Sequence, residues 1–527
     1  MNNILDTKLK QHHVIMIVSM TAIIFTIIFG FLLYMPLLRV AIKSQKALKS
    51  GNEMRDFYLK LPIPLDFRIY FFNVTNPLQV QEGQKPILQE VGPYCYDAYK
   101  EKIVIAEDKA NDTLTYNPYD TYFFNQTRSG DLSQDDYVTI LNPLVVGIIN
   151  AVAIQKPQFL SAVNKALPIV FKEDYSIYLT TRVRDILFDG VRIDCNVKDF
   201  SATALCSQFK GQPVMKEIEK NVFYFSLFGS RNGTVPQQIT VYRGIKNGES
   251  LGEVVSIDNH TDLQIWPKGS CNKYRGTDGW IFPPFLKDNI DIVAPDLCRN
   301  FQAKFVETLR FHNIKVRKYF ADLGEANPED QCFCPAPDKC LPEGVVDLTK
   351  CLQVPLMCTL PHFLRVDEKL LQQVEGLHPD TEKHIILIYF ESITGTPVVG
   401  QRRIQFNLEL KTIKKINIMQ TVPEALHPIL WLEEGVQLEG FLLDKIITAS
   451  TLLKVVSVGR YITLIGFIEI FAYGCYQAYK DWKLSKVGPA ESPSKSVRSS
   501  GGQHRKINTQ EILKAINFAN RKDEATT

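Results

Sequence analysis

Twenty-five consecutive residues, Val14 to Leu38, carry no charge, and a run of that length decides which solvent this part of the chain folds in. A helix needs roughly 20 apolar residues to cross a bilayer's hydrocarbon core. Gly30 and Pro36 are tolerated in such helices. The alternative is a cleaved signal peptide. Its apolar region would span about 7 to 15 residues and end at a small-residue site, whereas this run ends in Pro-Leu-Leu-Arg. Residues 14–38 therefore read as an uncleaved anchor behind a short segment, 1–13.

A second apolar stretch, Tyr461 to Tyr479, has no basic residue and one acid, Glu469. It suffices to span if Lys454 and Arg460 snorkel outward, which places a second anchor at 457–479; a buried helix of a soluble domain is the alternative. The tail 480–527 holds ten Lys or Arg against five Asp or Glu, while residues 39–479 hold 48 against 51. An overall net charge of +3 is too balanced to argue for nucleic acid. The basic tail favours a cytoplasmic stop after the second span.

The segment between the anchors, 39–456, contains ten of the eleven cysteines. It also contains all five N-glycosylation triplets, at Asn73, Asn111, Asn125, Asn232 and Asn259. An even cysteine count with such triplets points to an oxidising compartment and a glycosylated ectodomain. Lys8 and Lys10 precede the first anchor but Arg39, Lys43, Lys46 and Lys49 follow it, which locally argues for the reverse orientation. The cysteines, the triplets and the tail outweigh that, so both termini are expected in the cytoplasm.

Along the ectodomain, residues 40–60 read as a surface helix, and FRIYFFNVTNP from Phe67 alternates as a strand stopped by Asn76-Pro77. Further strand-like segments are 102–106, 113–116, 122–124, 222–227, 238–242 and 252–257, mostly four to seven residues long. Two longer alternating strands lie in EKHIILIYFESITGTPVVGQRRIQFNLEL, followed by LHPILWLEEG. The pattern is that of a large antiparallel sheet or barrel with few α/β crossovers. Residues 141–190 instead read as several short helices broken at Pro157 and Pro168, with Lys156, Lys165, Lys172, Arg182 and Arg184 spread along them. Two readings fit: a helical insertion exposing apolar surface to a lipid or protein partner, or helices that close one end of a barrel.

Cys271 to Cys358 is the densest cysteine region, with Cys298, Cys332, Cys334, Cys340 and Cys351 between. The one-residue gap of Cys332-Phe333-Cys334 departs from structural zinc spacing, and extracellular thiols oxidise, so disulfides are expected rather than metal. No nucleophile elbow, phosphate-binding glycine loop or HExxH helix occurs. The nine histidines are scattered, and His362, His378 and His384 share no helical face. His362 in LPHFL reads as a packed turn residue. Neither an enzyme nor a cofactor is expected.

FFNVTNP (71–77), EVGPY (90–94), LFDG (187–190), LFGSRNGT (227–234), GTDGWIFPPF (276–285), CFC (332–334), LPHFL (360–364) and ILWLEEG (429–435) resemble signatures of the class B scavenger receptor family. PLDFRIYFFN, KPILQEVGPY, FESITGTPV, RRIQFNLEL and the long basic tail are similar to its insect sensory neuron membrane protein branch. The resemblance implies an irregular antiparallel β-barrel ectodomain under an apical helical bundle, held by two transmembrane helices and crossed by an apolar tunnel. It also implies three disulfides: Cys271–Cys332, Cys298–Cys351 and Cys334–Cys340, pinning a strand-poor region to the barrel. Cys195 and Cys206, eleven apart, are expected to form a fourth; Cys95 and Cys358 either pair or stay free. The implied ligand is a long-chain lipid odorant or pheromone, handled beside an odorant receptor channel or carrier protein in sensory dendrites or supporting cells. Lys156, Lys165 and Lys172 are the candidate entrance residues, with Phe159, Leu160 and Phe171 as apolar lining or, alternatively, packed core.

Overall fold

The computed structural model describes residues 2–266, 269–323, 333–334 and 340–486. The described residues form two units, one within 28–460 and the other of the terminal segments 2–27 and 461–486.

In the terminal unit, a helix over Asn2–Ile27 lies beside the end of the helix Gly440–Lys486. Side-chain-free Gly474 lets the two approach, since a Cβ there would meet the Met16 side chain at 2.9 Å. His12 and Asp481 are 3.0 Å apart. Both helices are long and apolar enough to cross a membrane. At about 1.5 Å per residue, the 47-residue helix is about 70 Å long, more than twice a hydrocarbon core.

The large unit is built on one antiparallel sheet. Its strands are β1 (Leu65–Val74), β2 (Leu88–Asp108), β3 (Thr113–Phe124), β9 (Ile239–Tyr242), β10 (Val254–Ile257), β11 (Asn289–Ala294), β12 (Arg299–Phe311), β13 (Ile314–Ala321), β14 (Val346–Asp347), β15 (Leu356–Thr359), β16 (Ile386–Glu391), β17 (Pro397–Leu410) and β18 (Ala425–Gln437). They run in the order β10-β9-β3-β2-β1-β18-β17-β16-β13-β12-β11; off this path β15 pairs with β17 and β14 pairs with β15. The edge strands do not stay open. Thr277 bridges Glu253 beside β10 and Ile292 in β11, and Val254 N–H donates to Gly276 O at 3.0 Å while Val293 N–H donates to Thr277 O at 2.8 Å. Two residues therefore stitch the barrel shut, satisfying edges that would otherwise template aggregation.

Alternation fixes which side chains face inward. Leu65, Phe67, Ile69 and Phe71 of β1 are buried in the core, while Asp66 and Arg68 between them point outward. The register Phe67↔Tyr96 and Ile69↔Leu432 carries the same face onto β2 and β18.

Three expectations differ from the structure. Three of the short segments belong to longer strands: 102–106 is the end of a 21-residue β2, and 113–116 and 122–124 are one strand, β3. The cysteine-rich region is not strand-poor, because β11, β12 and β13 form a meander inside it. Pro168 does not break its helix but lies within Leu160–Phe171, near the C-terminal end, where it removes one backbone donor.

The helices Pro143–Gln155 and Leu160–Phe171 pack with a two-stranded sheet, β4 (Tyr137–Leu141) with β5 (Tyr178–Arg182). A three-stranded sheet of β6 (Val191–Asp194), β7 (Met215–Glu219) and β8 (Val222–Phe225) follows. Asn142 caps the first helix, its side chain accepting from Leu144 and Val145 N–H. Asn150 donates to Glu409 O at 2.6 Å, which seats the helices where β17 ends at Leu410 opposite Ala425. The Gly440–Lys486 helix leaves from the other end, where Val399 pairs with Gln437 and Leu438, Leu442 and Leu443 pack on Val316 and Val398. The helical cap and the root of the Gly440–Lys486 helix thus lie at opposite ends of the barrel.

His427 ties cap to barrel. It is fully buried on β18, with Nδ1 donating to Pro428 O at 2.7 Å and Nε2 3.3 Å from Tyr178 Oη on β5. Burial lowers its pKa from 6.5 to about 4. The neutral ring therefore contributes fully above pH 6.5, and that contribution is lost as pH falls from 6.5 toward 4, amounting to about 2 kcal/mol at pH 5. Thermal melts of the full chain in detergent at pH 7.5 and 5.0 should show this loss, and His427→Asn should narrow the gap. An unchanged gap would assign the acid sensitivity elsewhere.

Candidate functional site

The entrance candidates lie on the helical cap in two environments. Lys156 caps the Pro143–Gln155 helix, Lys172 follows Leu160–Phe171 with φ +49, and Lys165 lies within it; all three are exposed. Phe159 is 52% exposed, whereas Leu160 and Phe171 are buried and Phe171 packs on Phe209. Only Phe159 of the three apolar candidates is at the surface. Exposed Ile154, Ile169 and Phe200 join it on the cap, Phe200 being 87% exposed. The sequence reading missed these because residue type does not show which single apolar side chains tertiary packing leaves exposed.

The cysteines fall into defined places. Cys195–Cys206, Cys298–Cys351 and Cys334–Cys340 are joined. Cys271 is disulfide-bonded, and its expected partner Cys332 lies outside the described residues. Cys95 and Cys358 are buried and free; burial pushes the Cys358 thiol well up, which makes it inert. Among the glycosylation triplets, Asn111 and Asn259 sit exposed in turns. Asn73 accepts from Thr139 N–H, Asn232 from Tyr122 N–H, and Asn125 caps a short helix, so their side chains are already engaged.

Residues with no shared sequence period converge on the barrel's outer face. His362 is buried at φ +54, its Nε2 against Glu90 and its Nδ1 accepting from His378 N–H at 3.1 Å. Its ring stacks on His384 at 4.4 Å, and Trp431 donates to the same Glu90 oxygen at 2.7 Å. Burial, reinforced by the His362 ring, lowers His384 to about 4. With both rings bonded to neighbours, the cluster fastens the segment 361–385 over β1, β2 and β18. No group of acidic, cysteine or histidine side chains suited to a metal occurs among the described residues.

What remains as a site is the barrel itself, with surface apolar residues at the cap end and the Gly440–Lys486 helix rooted at the other. A family model for the CD36 family matches residues 17–477. The chain belongs to the CD36 family. It is 41% identical over 461 residues to sensory neuron membrane protein 1 of Apis mellifera, covering 85% of this chain and 88% of that one. Identity to the proteins of that name from Ostrinia furnacalis and Manduca sexta is 38% and 37%, covering 90% and 91% of this chain and 91% and 95% of theirs. CD36-family membership gives a membrane receptor or binding protein with a lipid-related role, and sensory neuron relatives connect it with olfaction.

Proposed function

We propose that this CD36-family protein receives long-chain, lipid-derived odorants or pheromones at the helical cap and passes them through the barrel toward the bilayer or an adjacent odorant receptor channel. Both termini are then cytoplasmic, and the membrane is that of sensory dendrites or supporting cells. The observation that carries the reading is the closed barrel with apolar side chains exposed at one end and the membrane helix leaving from the other. Exposing hydrocarbon to water costs about 0.8 kcal/mol per CH2, so a lined path removes the main barrier to delivery. Exposed Lys156, Lys165 and Lys172 would draw anionic ligands or carrier proteins to the entrance. The exposed apolar side chains Ile154, Phe159 and Phe200 support a second reading, adhesion or scaffolding through a protein partner on the cap.

The test is transfer of a fluorescent long-chain ester from solution into liposomes bearing the full chain. Ile388 faces inward opposite Gly400 and is half-buried, so Ile388→Trp should plug the path while Ile388→Val leaves it open. Transfer by Ile388→Trp should fall to the protein-free rate. Equal transfer by both variants would remove the conduit and leave the cap as a protein-binding surface.

A further inference from the structure

The inward face of the barrel is not apolar throughout. Arg402 and Arg403 are consecutive on β17, so their side chains leave the sheet on opposite faces. Arg403 is buried on the outer face, against Glu433 and Ile385 O beneath the segment 361–385. Arg402 therefore points into the lumen. There its Nη2 lies 2.8 Å from Glu434 Oε2, and Lys100 Nζ lies 2.7 Å from Glu434 Oε1 and 2.6 Å from Asp120. Arg231 donates to Asp296 Oδ1 at 2.6 Å, and Arg402 comes within 4.0 Å of Asp296. Lys100, Arg231 and Arg402 with Asp120, Asp296 and Glu434 form one net-neutral belt.

Arg402 pairs with Glu434 on the inward face of the closed barrel, yet 43% of its side chain remains accessible, as do 39% of Asp296 and 41% of Arg231. Enclosure together with accessible surface places these groups on the wall of an internal void. Burial pushes the Asp296 and Glu434 carboxyls up, but the neighbouring cations outweigh it and hold both below the ordinary carboxylate range, so the belt stays ionised. Among the described residues the Arg231 side chain bonds only Asp296, and Arg402 bonds only Glu434. A guanidinium has five N–H donors, so several remain for a ligand. Beside the belt, Phe67, Tyr122, Phe188 and Phe228 pack at centroid distances of 5.1 to 6.2 Å.

We propose that this belt is a head-group station, in which Arg231 and Arg402 donate to the oxygens of an amphiphile whose hydrocarbon tail lies on the aromatic wall. The inference rests on the conduit reading and narrows its ligand to chains ending in an acceptor oxygen group: ester, aldehyde or carboxylate. An alkane would displace water from ions and return no hydrogen bond, whereas an oxygen head replaces that water. Net neutrality of the belt lets uncharged heads bind as well as anions. The station lies three residues along β18 from Gln437 at the exit end, and eight along β17 from Leu410 at the cap end. A ligand held there by its head has passed most of the barrel.

The test is displacement of a fluorescent long-chain ester from the full chain in nanodiscs by hexadecyl acetate, hexadecanoate and hexadecane. The two oxygen-headed probes should compete roughly tenfold better than hexadecane. The paired change Arg402→Met with Glu434→Met keeps the belt neutral, and should bring that ratio near one while hexadecane competes as before. Arg402→Lys keeps the charge but loses the fork, and should lower the ratio at least about threefold; it decides the matter if the double variant does not fold. A wild-type ratio near one, or a ratio unchanged by these substitutions, overturns the station while Ile388→Trp still blocks transfer. Failure of all three probes to displace the ester, together with unimpeded transfer by Ile388→Trp, overturns the conduit as well.

Discussion

Arg403→Met should destabilise the ectodomain by about 3–5 kcal/mol, because it leaves Glu433 buried without its main partner. The guanidinium is committed on every side. Nε donates to Glu433 Oε2 at 2.6 Å, Nη1 to Ile385 O at 2.7 Å, and Nη2 to Gln401 Oε1 at 2.8 Å. Only Arg68, 3.4 Å from the other Glu433 oxygen, would remain near that carboxylate. Because the Ile385 bond anchors the end of segment 361–385, the loss should also loosen this cover, which carries His362 and His384 over Trp431. Trp431 stacks on Tyr70 at 3.8 Å, so its fluorescence reports that cover. Urea unfolding of the full chain in detergent should show an earlier midpoint for Arg403→Met. Adding Glu433→Gln should recover a large part of it, since the orphaned charge is the main penalty. A loss under about 1 kcal/mol, or no recovery in the double variant, would mean that the pair does not hold the cover.

The same two arginines show where reading the sequence stops. Alternation in RRIQFNLEL puts Arg402 and Arg403 on opposite faces of a strand, and that much is legible from residues alone. A sheet with one dry and one wet face would bury only one of them. Both face protein here because the barrel closes on one side and 361–385 covers the other, and both facts depend on contacts between residues far apart in sequence. Likewise FRIYFFNV announced β1, with every second residue in the core. In β2, YKEKIVIA reads only as a strand-like segment at 102–106, and nothing local to it shows that Lys100 faces an internal belt. The strands β11 to β13 were hidden by the cysteines around them, and the His362–His384 stack by an irregular segment with no helical or strand period. At the cap, residue type indicated apolar and basic surface, but only packing separates exposed Phe159 from buried Leu160 and Phe171.

Closure of the barrel turns on one residue that has no side chain. Gly276 adopts φ +95, a conformation other residues reach at a cost of roughly 1–3 kcal/mol, and a Cβ there would lie 1.8 Å from Asp291 O and 2.2 Å from its carbonyl carbon. Those atoms are the backbone of β11 itself, so no rotamer relieves the clash. Either β11 moves away or the stitch of Gly276 and Thr277 between β10 and β11 comes undone. Gly276→Ala should therefore cost roughly 3–5 kcal/mol in all, strain and overpacking combined. Its effect should exceed that of an ordinary buried substitution in kind as well as size. Opening the seam frees two strand edges, which favours association between molecules, and it opens the lumen sideways to water, removing the apolar path that delivery requires. The expected results are a lower melting temperature, oligomers on size exclusion, and loss of ester transfer without any change at the helical cap. Gly147→Ala is the matched control: it lies in the Pro143–Gln155 helix with nothing within 4 Å of the added Cβ, and should stabilise by about 0.5–1 kcal/mol. If Gly276→Ala melts and transfers like Gly147→Ala, the stitch is not what closes the barrel, and the conduit must be bounded at that seam by something else.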